Sequence, residues 1–539
     1  MGQKKVAASG RLPYNACMTQ RIPIPGKATA QATQVYHARF DNQTPNLLNG
    51  WRVSAAGFGG YRVAAGIEPH AAALRHALQN GVNLIDTSAN YADGGSEQLV
   101  GQVLGELIQA GELAREAVVV VSKAGYLQGQ NHAASQERRA AGSPWPDLVQ
   151  ISEGLEHCIH PDFLADQLTR SLARLNLQTL DALLLHNPEY YLNWAAWEGV
   201  PLAEARAEYE RRLALAFAHL EHEVATGRIQ CYGVSSNTFA NPADDPAFTS
   251  LARCWAAAQA TLGEQGHFRV IQLPFNLLEP GAVLERNNPS PTAESEAQVT
   301  VLMLAQALGL GVLVNRPLNA IRDNTLVRLA GVARPEHVPS GAEVSTAVDT
   351  SVQLETALRA SVLPALALDG ETEQQLLELL GVGLMLHGRW PALGSYQNWR
   401  DIMAQFLVPR AKTALQFILN RPNLPPEAAQ WAQAYQEAVN ATLAAVSAFY
   451  QAQGAAEAQV LRSTAVLAEP DWWTPTLSQT AIRAVRATAG VTSVLVGMRQ
   501  EPYVADVLAE LQRPSPQTAR AAAWERLQQE LAHNAAVTA

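Results

Sequence analysis

At 539 residues, with 48% hydrophobic and 16% charged residues, the chain is globular in composition and too long for one minimal domain, which excludes a disordered or fibrous molecule. A net charge of -10 gives no global reason to expect a nucleic-acid partner. The four cysteines, Cys17, Cys158, Cys231 and Cys254, are too scattered for a CxxC pair or a Cys/His metal site and point to a reducing cytoplasm.

Residues 1–49 read as an N-terminal extension. Lys4 and Lys5 have no apolar stretch behind them, so no secretory signal is expected, and Val6 spoils a myristoylation pattern at Gly2. RIPIPGKATAQAT within this extension leaves open a plug for a barrel, a strand or a loose arm. From residue 52 onward, apolar strands alternate with amphipathic helices. RVSAAGFGG (52–60) precedes a helix over 68–81, VNLIDTSAN one over 96–111, and AVVVVSKAG (117–125) one over 161–175. LDALLLHNP (180–188) precedes a long helix over 201–227. RIQCYGVSSN (228–237), RVIQLPFN (269–276), GVLVNRP (311–317) and VTSVLVGM (491–498) complete eight strands.

Near-continuous apolar strands covered by helices suit a parallel sheet, and eight of them suit a closed (β/α)8 TIM barrel. The competing doubly wound sheet calls for GxGxxG after its first strand, but GFGGYR (57–62) has the wrong glycine spacing. The expected fold is therefore α/β: a barrel built from 50–319 and 474–539, with a large, mostly helical insertion, 320–473, between strand 7 and helix 7. In such a barrel an insertion after a strand rises from the catalytic face. Within it, Trp431, Tyr435, Val439, Leu443, Val446 and Tyr450 form one helical stripe, read as packing. A shorter polar insertion occupies 125–160. The apolar run LLGVGLML (379–386) falls short of the roughly 20 residues a membrane span takes, so no membrane association is expected.

Polar residues interrupt the apolar strands at their ends: Asp86, Lys123, His186, Asn237, Gln272 and Arg316. Tyr91 follows Asp86 in a turn before a helix for which Ser96 is a candidate cap. Any one of these is ordinarily structural, but four breaks at successive barrel positions suit proton transfer to a carbonyl. A phenol acts as general acid when an ammonium stabilises its phenolate. Lys123 supplies that charge, Asp86 pairs with Lys123, and His186 donates a hydrogen bond to the substrate oxygen. This chemistry requires no metal.

GVNLIDTSANYADGGSEQLVG, followed in order by VVVSKAG, LLLHNPE, YGVSSN, IQLPFN, NRPL and SVLVGM, resembles the aldo-keto reductases, (β/α)8-barrel enzymes that use nicotinamide cofactors. The resemblance covers about 50–319 and 474–510. It implies a catalytic tetrad of Asp86, Tyr91, Lys123 and His186, with Tyr91 as the acid or base. It also implies cofactor contacts from Asp86, from Gly59, Gly60 and Tyr61, and from Ser236, Asn237 and Gln272 at the nicotinamide carboxamide, with Ser235 the alternative to Ser236. Read without the family, Ser236 and Asn237 form a polar turn and Gln272 a satisfied strand end. Asn315, Arg316, Pro317 and Leu318 match the segment beside the nicotinamide and pyrophosphate.

Gly497 and Asp506 match the adenosine end, where Val507 replaces a common asparagine. Arg499 is positioned in sequence to pair with a 2'-phosphate, which favours NADP(H) over NAD(H), or else is a surface arginine. The implied activity is an NAD(P)-dependent oxidoreductase acting on a small aldehyde, ketone or sugar. GFGGYRV and VLVGMR resemble the aldose dehydrogenase branch, so NAD-linked aldose oxidation is the enzymatic alternative. In an alternative of another class, the chain is a non-catalytic nicotinamide-binding subunit that docks a protein partner through 320–473.

Overall fold

The computed structural model describes residues 22–291, 297–322 and 325–538; Cys17 and the N-terminal lysines lie outside them. Eight parallel strands close into a barrel: β1 (Ala56–Gly59), β2 (Leu84–Asp86), β3 (Val119–Ala124), β4 (Leu180–His186), β5 (Ile229–Ser235), β6 (Phe268–Pro274), β7 (Gly311–Asn315) and β8 (Ser493–Val496). Each pairs with its neighbours in chain order and β8 closes on β1, the arrangement the alternating pattern predicts. The helices beside the barrel follow from their sequences. Pro161–Leu175 has proline in its first position, buries Phe163, Leu164, Leu168 and Leu175 on one face, and stops where Asn176 turns left-handed at φ +54°.

The first strand is shorter than expected. Trp51–Val53 leaves the barrel and pairs antiparallel with Asn46–Leu48, so RVSAAGFGG is a hairpin arm followed by a barrel strand. This hairpin and Ala28 pack into the core cluster that fills the barrel, with Leu84, Val119, Val121, Ala182, Leu184, Cys231, Val270, Leu313 and Leu495. Gly311 is needed there: a Cβ at its position would collide with the Leu48 side chain. The described part of the N-terminal extension is thus a cover for the amino end of the barrel, and it is tied there by the bond from Ala28 N–H to Asp181 at 2.8 Å. The 125–160 insertion is more ordered than its polar composition suggests. It contains a helix, Gly129–Ala140, and a three-stranded sheet of Tyr126–Leu127, Val149–Ser152 and Leu155–His157.

Contacts divide the chain into two compact units, Met1–Thr325 with Ala481–Gln528, and Leu326–Thr480 with Gln529–Ala539. The second is helical within its described core. Its longest helix, Pro426–Ala468, buries Trp431, Tyr435, Val439, Leu443, Val446 and Tyr450, so the stripe is packing. Gly341–Ala357 starts with a Ser340/Glu343 capping box. Its buried Glu355 accepts hydrogen bonds from the Gly383 and Leu384 amides and the Tyr435 hydroxyl, which compensates for burying the carboxylate. Among the described residues, no helix is long and apolar enough to cross a membrane.

Candidate active site

Side chains on a strand alternate, so those facing the barrel interior recur every second residue. The core residues identify that face: Leu84 leads to Asp86, Val119 and Val121 to Lys123, Ala182 and Leu184 to His186, Cys231 to Ser235, Val270 to Gln272, and Leu313 to Asn315. Each of these inward columns is apolar at depth and carries a polar residue near the carboxyl end of its strand. Register aligns the ends, with Gly59 opposite Asp86, His186 opposite Ser235 and Ser235 opposite Gln272.

Lys123 occupies the centre of this ring. Its Nζ lies 2.8 Å from the Asp86 carboxylate, 2.9 Å from the Thr87 carbonyl and 3.3 Å from the Tyr91 hydroxyl, one partner for each of its three donors. The Asp86 carboxylate also accepts from Gln272 Nε2 at 2.7 Å, and Gln272 Oε1 accepts from Ser235 Oγ at 3.1 Å. Burial alone would lower the Lys123 pKa, but Asp86 and Tyr91 outweigh it and leave it above its ordinary value. Burial raises the Tyr91 phenol above its ordinary value, the Lys123 ammonium counters that shift and the Asp86 carboxylate adds to it. Tyr91 is therefore a protonated acid at neutral pH, held against a cation.

The turn that delivers Tyr91 is strained. Ala92 and Asp93 adopt left-handed conformations at φ +49° and +53°, which costs roughly 1–2 kcal/mol each. Gly94 follows at φ +88° and occupies the N-cap of the helix Gly95–Gln109. Ser96, the expected cap, lies inside the first turn instead, where its Oγ donates to the Gly60 carbonyl at 2.9 Å and pairs with Thr87 Oγ1 at 2.8 Å. It fastens the first strand end to the second.

The His186 ring is 5.9 Å from the Tyr91 ring, centroid to centroid. Burial, together with the Lys123 ammonium and His157, pushes its pKa far below the ordinary value, so the imidazole is neutral. Tyr126 stands edge-on to His186 at 4.7 Å, and His157 stacks on Tyr190 at 5.7 Å while its Nε2 is 2.8 Å from the His186 carbonyl. Burial, aided by Arg212, lowers the His157 pKa to about 4. Tyr61 is exposed and meets Tyr91 edge-on at 5.2 Å.

Residues 57–244, which hold all four of these central groups, match the model of the aldo/keto reductase family. A methylglyoxal reductase of Escherichia coli is 30% identical over 170 residues, covering 32% of this chain; the match spans 40% of that curated relative's length. Similar solved structures include an aldo-keto reductase from Bacillus halodurans in holo form, 14% identical over 90% of this chain and 96% of that one, TM-score 0.42. A glycerol dehydrogenase from Gluconobacter oxydans is 15% identical over 91% and 95%, TM-score 0.43. An aldo-keto reductase from Klebsiella pneumoniae in complex with NADPH is 22% identical over 51% and 68%, TM-score 0.30.

Around Asp86, Tyr91, Lys123 and His186, the remaining predicted residues fall into three groups. Gly59, Ser235, Gln272 and Asn315 complete the ring. At Gly59 a Cβ would press on the Val496 carbonyl, and at Gly60 it would strike Ser96 Oγ and the Asp86 carbonyl. The second group points elsewhere. Ser236 is one residue out of phase with the inward face, and its hydroxyl pairs with Thr238 and Thr249 at 3.1 and 3.0 Å. Ser235 is thus the serine on the ring and Ser236 is not. Asn237 is exposed and gives its N–H to Glu189 at 2.9 Å.

The third group follows β7 and β8. Arg316, at φ +53°, pairs with Glu279 at 3.0 Å, beside buried Pro317 and half-buried Leu318. Gly497 is exposed with open space where a side chain would be, Arg499 is half-buried, and Asp506 lies on Glu501–Leu511. Sequence reasoning passed over Ser88, Tyr126, His157 and Glu189. Two signals were available: Ser88 and Tyr126 lie within three residues of Asp86 and Lys123, and Glu189 lies three beyond His186.

Proposed function

We propose that the chain is an NAD(P)-dependent oxidoreductase interconverting a carbonyl and an alcohol on a small aldehyde, ketone or sugar, with Tyr91 as general acid and base. The observation that carries this reading is the Lys123 ammonium, placed between a buried carboxylate and a half-buried phenol at the barrel mouth. In reduction Tyr91 Oη gives its proton to the substrate oxygen, and Lys123 stabilises the phenolate left behind. Asp86 keeps Lys123 charged and in place. His186, neutral, turns its free nitrogen to the same oxygen. The nicotinamide cofactor, when bound, supplies or receives the hydride.

The ring residues suit such a cofactor. Asn315 Oδ1 and Arg316 Nε are buried without a hydrogen-bond partner among the described residues, so both have capacity for a polar ligand. Ser235, Gln272 and Asn315 would hold the carboxamide, Arg316 the region toward the pyrophosphate, and Gly497 the adenosine side. Arg499 makes no ion pair among the described residues and favours a 2'-phosphate, hence NADP(H). The buried, free thiols of Cys158, Cys231 and Cys254 suit a reducing compartment, and we assign the protein to the cytoplasm.

Equilibrium binding of NADPH and NADH, followed by steady-state assays in both directions over aldehydes and aldoses, tests the reading. Tight NADPH binding with carbonyl-dependent oxidation is the expected result. Preferred NAD-linked aldose oxidation would reassign the cofactor and direction. Cofactor binding without turnover on any substrate would overturn the enzymatic reading in favour of a docking subunit.

A further inference from the structure

Ser88 lies between Asp86 and Tyr91 and has no part in the scheme above. It is buried, with Oγ 3.0 Å from His186 Nδ1 and 2.7 Å from Asn90 Oδ1; Asn90 Nδ2 is in turn 3.1 Å from Gln128 Oε1. A hydrogen-bond chain therefore runs from exposed Gln128 to the back of the His186 ring. The Lys123 carbonyl, 3.3 Å away, is a weaker competitor for the Ser88 proton.

A neutral imidazole carries one N–H, and a serine hydroxyl has one proton to give. The chain therefore has two self-consistent directions. As placed, Asn90 Oδ1 takes the Ser88 proton, His186 Nδ1–H donates to Ser88, and Nε2 offers only a lone pair. Turning over the two amides exchanges N and O at nearly the same positions. Gln128 then donates to Asn90, Asn90 to Ser88, and Ser88 to His186 Nδ1, which leaves the proton on Nε2. Nε2 has no partner among the described residues. Only the second direction presents a donor to a substrate oxygen as negative charge develops on it.

We propose that Ser88, oriented by Asn90 and Gln128, is a positioning residue that holds His186 as its Nε2–H tautomer. The consequence for turnover rests on the proposed reductase chemistry; the tautomer does not. The test uses the full chain with 15N-labelled histidine, saturated with NADP+, and two-bond 1H–15N correlation spectra in which His186→Asn assigns the signal. Wild type should show Nε2–H. Ser88→Ala should give mixed tautomers, and Asn90→Asp, whose carboxylate only accepts, should draw the Ser88 proton outward and convert His186 to Nδ1–H. Carbonyl reduction should fall about 100- to 1000-fold in kcat in Asn90→Asp with NADPH affinity unchanged, and Ser88→Thr should restore the wild-type spectrum. A wild-type Nδ1–H signal, or identical His186 signals in wild type and both variants, would overturn the proposal. Full turnover in Tyr91→Phe would instead remove the reductase reading and leave the spectral result standing.

Discussion

The barrel carries a buried ion pair at each end, and the two are put to different use. At the amino end Arg115 and Asp181 meet at 2.9 Å; at the mouth Lys123 and Asp86 meet at 2.8 Å, and all four side chains are almost fully buried. Asp181 accepts four hydrogen bonds, from Arg115, Gln230 and the amides of Ala28 and Val120, so its whole capacity is spent on tying β3, β4 and the N-terminal cover together. Lys123 gives one donor to a phenol, and Asp86 one oxygen to the Gln272 side chain of the ring. Removing two charges from water costs free energy at either end. At the bottom the return is a closed frame, and at the mouth it is an ammonium held against the Tyr91 phenol, which the proposed reaction uses to move a proton.

Breaking the lower pair should produce the largest change in stability. Arg115→Met leaves Asp181 as an uncompensated buried charge and should cost about 3–5 kcal/mol in urea unfolding, with turnover per folded molecule near wild type. Lys123→Met likewise leaves Asp86 as an uncompensated buried charge and should cost stability, but in addition it should lower kcat per folded molecule by about 10²–10⁴-fold while NADPH binding remains measurable. If both variants lost stability and turnover alike, the two ends would not be functionally distinct.

Glu189 sharpens the comparison from the side of pH. It is buried beside the mouth, accepts from the Asn237 amide and Asn187 Nδ2, and burial raises its pKa to about 7. A carboxyl whose folded pKa is raised favours the fold while protonated. Its contribution should be full below about 4.5 and decline as pH rises to about 7, on the order of 3 kcal/mol in all. Glu189→Gln should flatten that part of the stability–pH curve, as followed by urea midpoints; an unchanged slope would assign it to other groups. The smallest effect concerns the paired serines. Ser235→Ala removes a bond to Gln272 on the ring and should weaken NADPH binding by the worth of about one hydrogen bond, ~1 kcal/mol. Ser236→Ala should leave cofactor affinity unchanged and register in stability alone. The reverse ranking by titration would mean that the inward face is misassigned.

The barrel was legible because its strands are near-continuous apolar runs ending in polar residues, and the meeting of Asp86, Lys123 and His186 at one end of it because each breaks such a run. Less legible were features set by parity and long-range contact. Ser235 and Ser236 are indistinguishable as a polar pair until Cys231 identifies the inward face. Ser96 reads as a cap by residue type, but Gly94 takes that position because the preceding turn is left-handed. RVSAAGFGG reads as one strand, since only pairing with Asn46–Leu48 detaches Trp51–Val53. The order within 125–160 rests on antiparallel pairing that a polar, turn-rich composition conceals.

The central claim is that the phenol beside Lys123 moves the proton. Single-turnover NADPH oxidation by Tyr91→Phe, with cofactor affinity and urea stability measured on the same preparation, tests it most directly. The account predicts loss of about 10²–10⁴-fold in rate, NADPH affinity close to wild type and stability changed by no more than about 1 kcal/mol, the worth of one hydrogen bond. A variant that transfers hydride at the wild-type rate would contradict it.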